Sequence, residues 1–236
     1  MRWLFLHGER LLSAPVIPPR WRRAVSTLAM LSTTGLVVLT HKVTEHGRAL
    51  RLNRLVDERL QRRLERHAHV LEVARGLGGR DALIVGSLCL AVAGLLRHQG
   101  RAALVVLVAL PASAALTERV LKPFVTGAAP THSHPSFPSG HTTGAAALAV
   151  ATLILLLPAP GEGAARRKRP LRLLLAGLVV ALEASSAVAV IALGTHTTSS
   201  ALGGCLVASS VVLAAALGLD AVASNIQRLR RRVQEG

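Results

Sequence analysis

The chain has 236 residues, of which 51% are hydrophobic and 2% aromatic, and its formal net charge is +16. A nucleic-acid-binding protein would also be basic, but it would not gather its apolar residues into long uncharged segments, so this pattern excludes that class. The composition predicts an integral membrane protein that has the lipid bilayer as a partner and does not bind nucleic acid.

The first 81 residues contain one apolar block between two basic segments. Residues 1–23 form a basic lead with three prolines, which disfavour a long helix, and the first apolar block follows at Ala24–Thr40. Residues 41–81 then place leucine and valine at helical spacing among arginine and glutamate, which predicts an amphipathic helix. This helix could lie on the membrane surface, pack across the mouth of the bundle, or be a solvated helix without a special role.

Five further apolar blocks complete a predicted all-α bundle with six transmembrane spans and an extra amphipathic helix between spans 1 and 2. We divide the chain into a basic N-terminal segment (1–23), the first span with the amphipathic segment (24–81), a transmembrane core (82–220) and a basic tail (221–236). Cys89 and Cys205 lie inside blocks and are interpreted as buried thiols, not as a disulfide or metal site. The five blocks are Ala82–Leu96, Ala102–Thr117, Thr142–Leu157, Leu173–Leu193 and Ser199–Leu219.

Short basic segments predict the orientation of the bundle. In a six-span topology the N-terminal lead, the turn 97–101, the cluster 166–169 and the tail 228–232 all fall on one side. Positively charged short loops favour the cytoplasm. Both termini are therefore expected in the cytoplasm of a plasma-membrane protein, with residues 118–141 and 194–198 on the outer face.

A polar turn, Phe137 to Gly144, opens directly into the fourth predicted span. Pro138 cannot continue a helix from upstream, whereas Ser139 and Gly140 are favourable at a helix start. The first turn of a helix presents unpaired N–H groups and the positive end of the helix dipole, which favour an anion. His141 lies within one turn of this point and can give or accept a proton near neutral pH.

The predicted topology brings two more polar residues to the same face as His141. His196 lies in the turn between the fifth and sixth spans, and Lys122 lies at the outer end of the third. A snorkelling anchor would explain Lys122 alone, and an interfacial turn residue would explain His196 alone. Two imidazoles, a cation and an anion-binding helix start together suit phosphoryl transfer through a covalent histidine.

These residues resemble the motifs of the type 2 phosphatidic acid phosphatase / haloperoxidase superfamily, whose membrane branch has six spans. Pro138-Ser139-Gly140-His141 matches its second motif, and Lys122 and Pro130 match the ends of its first. His196 matches the histidine of its third motif, and the resemblance covers roughly residues 82–220.

The resemblance implies a role for each matched residue. His196 would attack phosphorus and form a phosphohistidine, and His141 would protonate the leaving alcohol. Lys122 and the Ser139–Gly140 backbone would hold the phosphate oxygens, with Pro130 and Ser200 in supporting positions. The family resemblance implies a membrane lipid phosphate or isoprenoid phosphate as substrate, and no metal or other cofactor.

Four positions depart from the family pattern. Ala129 replaces the arginine of the first motif, Ala189-Val190 replaces the Ser-Arg pair of the third, and Ser200 replaces its final aspartate. Two phosphate-binding guanidinium groups and the carboxylate that orients the nucleophile are missing. Losing two charge-assisted hydrogen bonds would cost ~3–6 kcal/mol, or about 10²–10⁴ in rate. Protonated His132 and His134 could partly replace an arginine, although polar loop residues are the simpler interpretation.

Two functions therefore stay open. One is a lipid phosphate phosphatase, weakened or specialised, and the other is a catalytically inactive relative that binds a phospholipid headgroup or a protein partner. Glu183, in the middle of the fifth span, would suit a small transporter, but about 20 Å of helix separates it from His196. The sequence specifies neither the lipid nor the oligomeric state.

Overall fold

The computed structural model describes residues 14–46, 51–128, 137–157 and 169–235, and this part of the chain is helical without strands. A 3-10 turn at Pro19–Trp21 precedes the first long helix, a second at Glu65–His67 separates α2 from α3, and a π-helical turn, Leu116–Leu121, joins α5 to α6. The helices are α1 (Arg22–His46), α2 (Arg51–Leu64), α3 (Ala68–Gly76), α4 (Arg80–Leu96), α5 (Gly100–Ala115), α6 (Lys122–Ala128), α7 (Gly140–Leu156), α8 (Arg169–Ala192) and α9 (Thr198–Glu235).

Each of the six predicted apolar blocks lies largely within a helix, but the number of spans is not confirmed as six. Within the described ranges, four helical segments are long and apolar enough to cross a membrane: Pro19–Glu45, Gly100–Val125, Arg169–Ala192 and Thr198–Gln234. A fifth exists if Asn53–Gly76 and Arg80–Leu96, which meet at a 45° bend, count as one span. Helix α7 has 17 residues, so at about 1.5 Å per residue it falls short of a bilayer core of about 30 Å. The chain is an integral membrane protein with four or five candidate spans.

Helix α7 lies in the middle of the bundle and packs against α4, α5, α8 and α9. Its buried residues are mostly small, which lets neighbouring backbones approach closely, as is typical between membrane helices. The buried alanines are Ala145, Ala146, Ala147, Ala149 and Ala151. Because α7 is enclosed on several sides, its first turn has a fixed position relative to the ends of its neighbours.

The predicted amphipathic segment packs across one end of the bundle, where α7 and α9 begin; we call this the site end. The carboxylate of Asp57 on α2 accepts from the N–H and the hydroxyl of Thr198, at 3.0 and 2.6 Å. The amide oxygen of Asn53 accepts from the N–H of Ser199 at 3.0 Å. Helix α2 thus caps the start of α9 from another part of the chain, and its carboxylate lies at the positive end of that helix dipole.

Helix α3 continues this cover over the end of α8. Leu71 is buried in a small apolar cluster with Ala189 and Ala192. Of the placements left open by the sequence, packing across the mouth of the bundle agrees with the structure.

At the end of the bundle opposite the site end, a buried carboxylate connects α9 to the chain before α1. Asp220 on α9 is 3% exposed and accepts from the backbone N–H groups of Val16 and Ile17 at 2.8 and 2.9 Å. The guanidinium of Arg101 lies 3.6 Å from the same carboxylate. Helix α9 passes through this position without a break and ends at Glu235.

Candidate active site

The turn before α7 is held by hydrogen bonds from Ser139. Its hydroxyl accepts from the N–H of Thr142 at 3.3 Å, its carbonyl accepts from the N–H of Thr143 at 3.0 Å, and its own N–H donates to the carbonyl of Ser200 at 3.0 Å. Since the first four N–H groups of a helix lack intrahelical partners, those of Gly140 and His141 remain for a ligand.

Ser139 therefore builds the turn instead of lining the site. Its side chain is fully buried, and both its hydroxyl and its N–H are already used within the protein. The predicted contact between the Ser139 backbone and phosphate does not agree with this geometry, whereas Gly140 lies at the surface of the site.

Two glycines on α9 make room for the turn. A Cβ atom on Gly203 would lie 2.7 Å from Cζ of Phe137, and one on Gly204 would lie 2.7 Å from the carbonyl oxygen of Ser139. Either side chain would push the turn off α9, so these glycines fix the position from which α7 starts.

Lys122 reaches the start of α7 and is paired with a carboxylate that the sequence analysis did not identify. Its Nζ lies 2.6 and 2.8 Å from the two oxygens of Glu118, one helical turn earlier. A Cβ atom on Gly140 would lie 3.7 Å from the same Nζ and would collide with Oε1 of Glu118. A carboxylate therefore occupies the position that the positive end of α7 offers to an anion.

His196 lies in the connection between α8 and α9. Gly194 adopts a φ of +68°, which reverses the chain, and the N–H groups of Thr195 and His196 both donate to the carbonyl of Val190 at 3.1 and 3.0 Å. Nδ1 of His196 lies 3.2 Å from the hydroxyl oxygen of Ser200. Ser200 thus lies within hydrogen-bond distance of the His196 ring, but its hydroxyl carries no charge.

One cavity of about 1110 Å³ brings several predicted residues together. His141, His196, Lys122 and Gly140 line it, while Ser139 and Ser200 are buried behind its wall. Pro130, Ala129, His132 and His134 lie outside the described residues. The rest of the wall is polar at the site end and apolar along α4 and α5, with Gly78, Gly79, Arg80, Leu83, Ile84, Ser87, Leu88, Leu107, Pro111, Ala114, Ala115, Glu118 and Arg119. This shape suits an amphiphile with an anionic head.

The charge balance around His141 favours its neutral form. His141 lies in the first turn of α7, ahead of the apolar segment that begins at Thr142. Its pKa is lowered by partial burial first, and then by the positive charges of Arg75 and Lys122, while Glu118 and Glu72 oppose the change. Binding of an anion beside Lys122 would raise the pKa again.

Val190, which stands where the third motif has an arginine, is part of an apolar cluster. Val190 is fully buried with Ile191 and Ala201, and Leu60 of α2 packs against them. A guanidinium could not enter this cluster without repacking it.

Glu183 accepts a hydrogen bond from the thiol of Cys205 at 3.0 Å, within the bundle and away from the cavity. Among the residues that the structure describes, no group of three His, Cys, Asp or Glu side chains could hold a metal ion.

Comparisons with known proteins agree with this arrangement. Residues 117–222 match the family model of the PAP2 superfamily. Among solved structures, the chain is similar to the first transmembrane PAP2 type phosphatidylglycerolphosphate phosphatase from Bacillus subtilis, with 17% sequence identity and a TM-score of 0.59. The similarity covers 81% of this chain and 95% of that one, and at this identity it shows a shared fold. A search of curated protein sequences gives no match.

The matched segment contains Lys122, the turn at Ser139 and both histidines of the cavity. Together with the shared fold, it agrees with the resemblance found in the motifs: residues 117–222 are similar to the PAP2 superfamily.

Proposed function

We propose that this protein is a membrane lipid phosphate phosphatase that works through a phosphohistidine on His196. The observation that carries the proposal is one cavity lined by His141, His196, Lys122 and the start of α7, with apolar walls along α4 and α5. The solved relative is described as a phosphatidylglycerolphosphate phosphatase. A phosphate monoester on a lipid or isoprenoid alcohol would fit such a cavity.

In the first step, Nε2 of His196 attacks the phosphorus atom while Nδ1–H donates to the hydroxyl of Ser200. A P–N bond forms and the P–O bond to the alcohol breaks. Protonated His141 gives its proton to the departing alcohol oxygen, and Lys122 with the Gly140 and His141 N–H groups stabilises the charge on the remaining oxygens.

In the second step, His141, now neutral, takes a proton from water. The water oxygen attacks phosphorus, the P–N bond breaks, and inorganic phosphate leaves. His196 recovers its lone pair and His141 recovers its proton, so both residues return to their starting states.

Ser200 limits this reaction, because a hydroxyl stabilises an imidazolium less than a carboxylate does. A charge-assisted hydrogen bond exceeds a neutral one by about 1 kcal/mol, equivalent to roughly fivefold to tenfold in rate. The protein would therefore turn over slowly compared with a relative that has aspartate at this position.

The reaction would take place at the outer face of the plasma membrane. The site end lies opposite Arg101 and the arginine-rich end of α9, which the positive-inside rule assigns to the cytoplasm. A lipid of the outer leaflet would then present its headgroup to the cavity.

Purified protein assayed with phosphatidic acid and with an isoprenoid phosphate tests the proposal. We expect slow release of phosphate that His196→Ala abolishes, and about a tenfold increase for Ser200→Asp, which restores a charged acceptor for Nδ1.

The second candidate is an inactive relative that binds a headgroup, and the sealed apolar cluster at Val190 favours it. That function would be supported if the folded parent and His196→Ala released phosphate at the same background rate while the parent still bound the lipid.

A further inference from the structure

We propose that Arg80 and Arg119 replace the two motif arginines and, with Lys122, form a phosphate clamp that selects a phosphate monoester dianion. This inference rests on the proposed function, because it assigns the groups that bind the substrate of that same site. The name phosphate clamp refers below to Lys122, Arg80 and Arg119.

Arg80 is held close to the start of α7 by the glycines before it. A Cβ atom on Gly78 would collide with the carbonyl oxygen of His141, so the backbone there is in direct contact with the first turn of α7. Arg80 follows two residues later, immediately after the N-cap of α4, and its exposed side chain lines the cavity.

Arg119 approaches the cavity from the π-helical turn that follows α5. It lies in the π-helical turn between Glu118, whose carboxylate touches Gly140, and Lys122. Such π-turns change the direction of side chains that a regular helix would separate, and they occur often at functional sites. Here three charged residues within five positions, Glu118, Arg119 and Lys122, all line the cavity.

Both guanidinium groups are available to a ligand. In the part of the chain that the structure describes, neither Arg80 nor Arg119 forms a hydrogen bond or an ion pair. Arg75, which also acts on His141, differs because its guanidinium is bound to the carboxylate of Glu72 at 2.7 Å. Two guanidinium groups that have no partner among the described residues and line one cavity are suited to bind phosphate oxygens bidentately.

The formal charge of the clamp matches a dianion. Lys122, Arg80 and Arg119 contribute three positive charges and Glu118 contributes one negative charge, which leaves +2 on the described cavity wall when both histidines are neutral. A phosphate monoester carries about −1.5 to −2 at pH 7, whereas a phosphodiester carries one negative charge. The clamp would therefore favour the monoester.

Binding of inorganic phosphate to the full-length, detergent-solubilised protein at pH 8 tests the clamp without requiring turnover. Arg80→Gln and Arg119→Gln should each weaken phosphate binding about 10-fold or more, since each removes a charge-assisted contact. Arg80→Lys should recover part of the loss, because lysine keeps the charge but not the fork of donors. Dimethyl phosphate, a monoanion, should compete poorly with phosphate in the parent, and the difference in affinity between the two anions should shrink in both glutamine variants.

Arg97→Gln is the matched control, because Arg97 lies at the other end of α4, outside the cavity. It should leave phosphate affinity within about twofold of the parent, and melting temperatures should show that all variants are folded. The clamp is overturned if the parent does not bind phosphate, if the two glutamine variants bind it like the parent, or if Arg97→Gln loses as much.

An activity assay on the same proteins separates the clamp from the proposed function. Phosphate binding that depends on Arg80 and Arg119 in a protein without His196-dependent turnover would support the clamp and contradict the phosphatase. Turnover that depends on His196 but shows an unchanged KM in both arginine variants would support the phosphatase and contradict the clamp.

Discussion

At the scale of single residues, the carboxylate of Glu118 is the least expected part of the site. It holds Lys122 at 2.6 Å and touches Gly140 at the positive end of α7. A substrate phosphate would compete for the same ammonium group and the same helix start. We therefore expect Glu118 to lower the affinity for anions while it positions Lys122.

Removing this carboxylate charge should strengthen anion binding. Glu118→Gln frees Lys122 and removes a negative charge from a helix start, so we expect inorganic phosphate to inhibit or bind about 3–10-fold more tightly. Glu58→Gln is the control, because Glu58 forms an ion pair of the same spacing with Arg62 on α2, outside the cavity. Equal phosphate affinity in the parent and Glu118→Gln would show that Glu118 and phosphate do not compete for Lys122 and the start of α7.

The same variant should shift the pH profile. Glu118 raises the pKa of His141, so its loss lowers that pKa further from the usual 6.5. The protonated form that serves as general acid then exists only at lower pH, and the alkaline limb of activity should move to lower pH. A pH series of phosphate release on parent and Glu118→Gln measures this, and a shift to higher pH would contradict the role given to His141.

Motif spacing was sufficient to predict that His141, His196 and Lys122 meet on one cavity wall, because each begins or ends a helix at the same end of the bundle. No motif or residue spacing in the sequence pointed to Arg80 and Arg119. Their contribution depends on the contact between Gly78 and His141 and on a π-turn, and neither is encoded in a local pattern of residue types.

At the scale of elements, the contact between the α3–α4 connection and α7 sets the width of the site. A Cβ atom on Gly78 would collide with the carbonyl oxygen of His141, and one on Gly144 would collide with the carbonyl oxygen of Gly78. Helical periodicity predicted the amphipathic segment, but not which helices of the bundle it packs against. Asp57 and Asn53 of this segment cap α9, but nothing in the sequence distinguishes them from its other polar residues.

A methyl group at Gly78 should therefore open the site. Gly78→Ala must displace α4 from α7, and such overpacking costs about 1–3 kcal/mol, so we expect the melting temperature to fall by about 5 °C or more and phosphate release to decrease. Gly76→Ala, two residues earlier, has nothing within 4 Å of the new methyl group and should behave like the parent. Similar melting temperatures for the two variants would show that the close contact is not needed.

At the scale of the whole molecule, the apolar blocks gave the helices but not the number of spans. Helix α7 has the composition of a span, but with 17 residues it is shorter than the four segments that are long enough to cross a membrane. The buried link from Asp220 to Val16 and Ile17 was also invisible in the sequence, since it joins positions about 200 residues apart.

Labelling of single cysteines tests the proposed orientation. In a background without Cys89 and Cys205, Glu65→Cys at the site end should react with a membrane-impermeant thiol reagent in intact cells. Val233→Cys, which is 82% exposed near the end of α9, should react only after the cells are opened. The positive-inside rule gives this expectation, and the reverse labelling pattern would place the site in the cytoplasm.

The central claim is that phosphate passes through a covalent bond to His196. Rapid mixing of the protein with a ³²P-labelled lipid phosphate, followed by an alkaline quench that preserves phosphohistidine, measures this directly. We expect label on the peptide that contains His196 in the parent and none in His196→Ala, with slower loss of label in His141→Ala because the second step lacks its base. Release of labelled phosphate without any protein-bound label, or label that persists in His196→Ala, would contradict the mechanism.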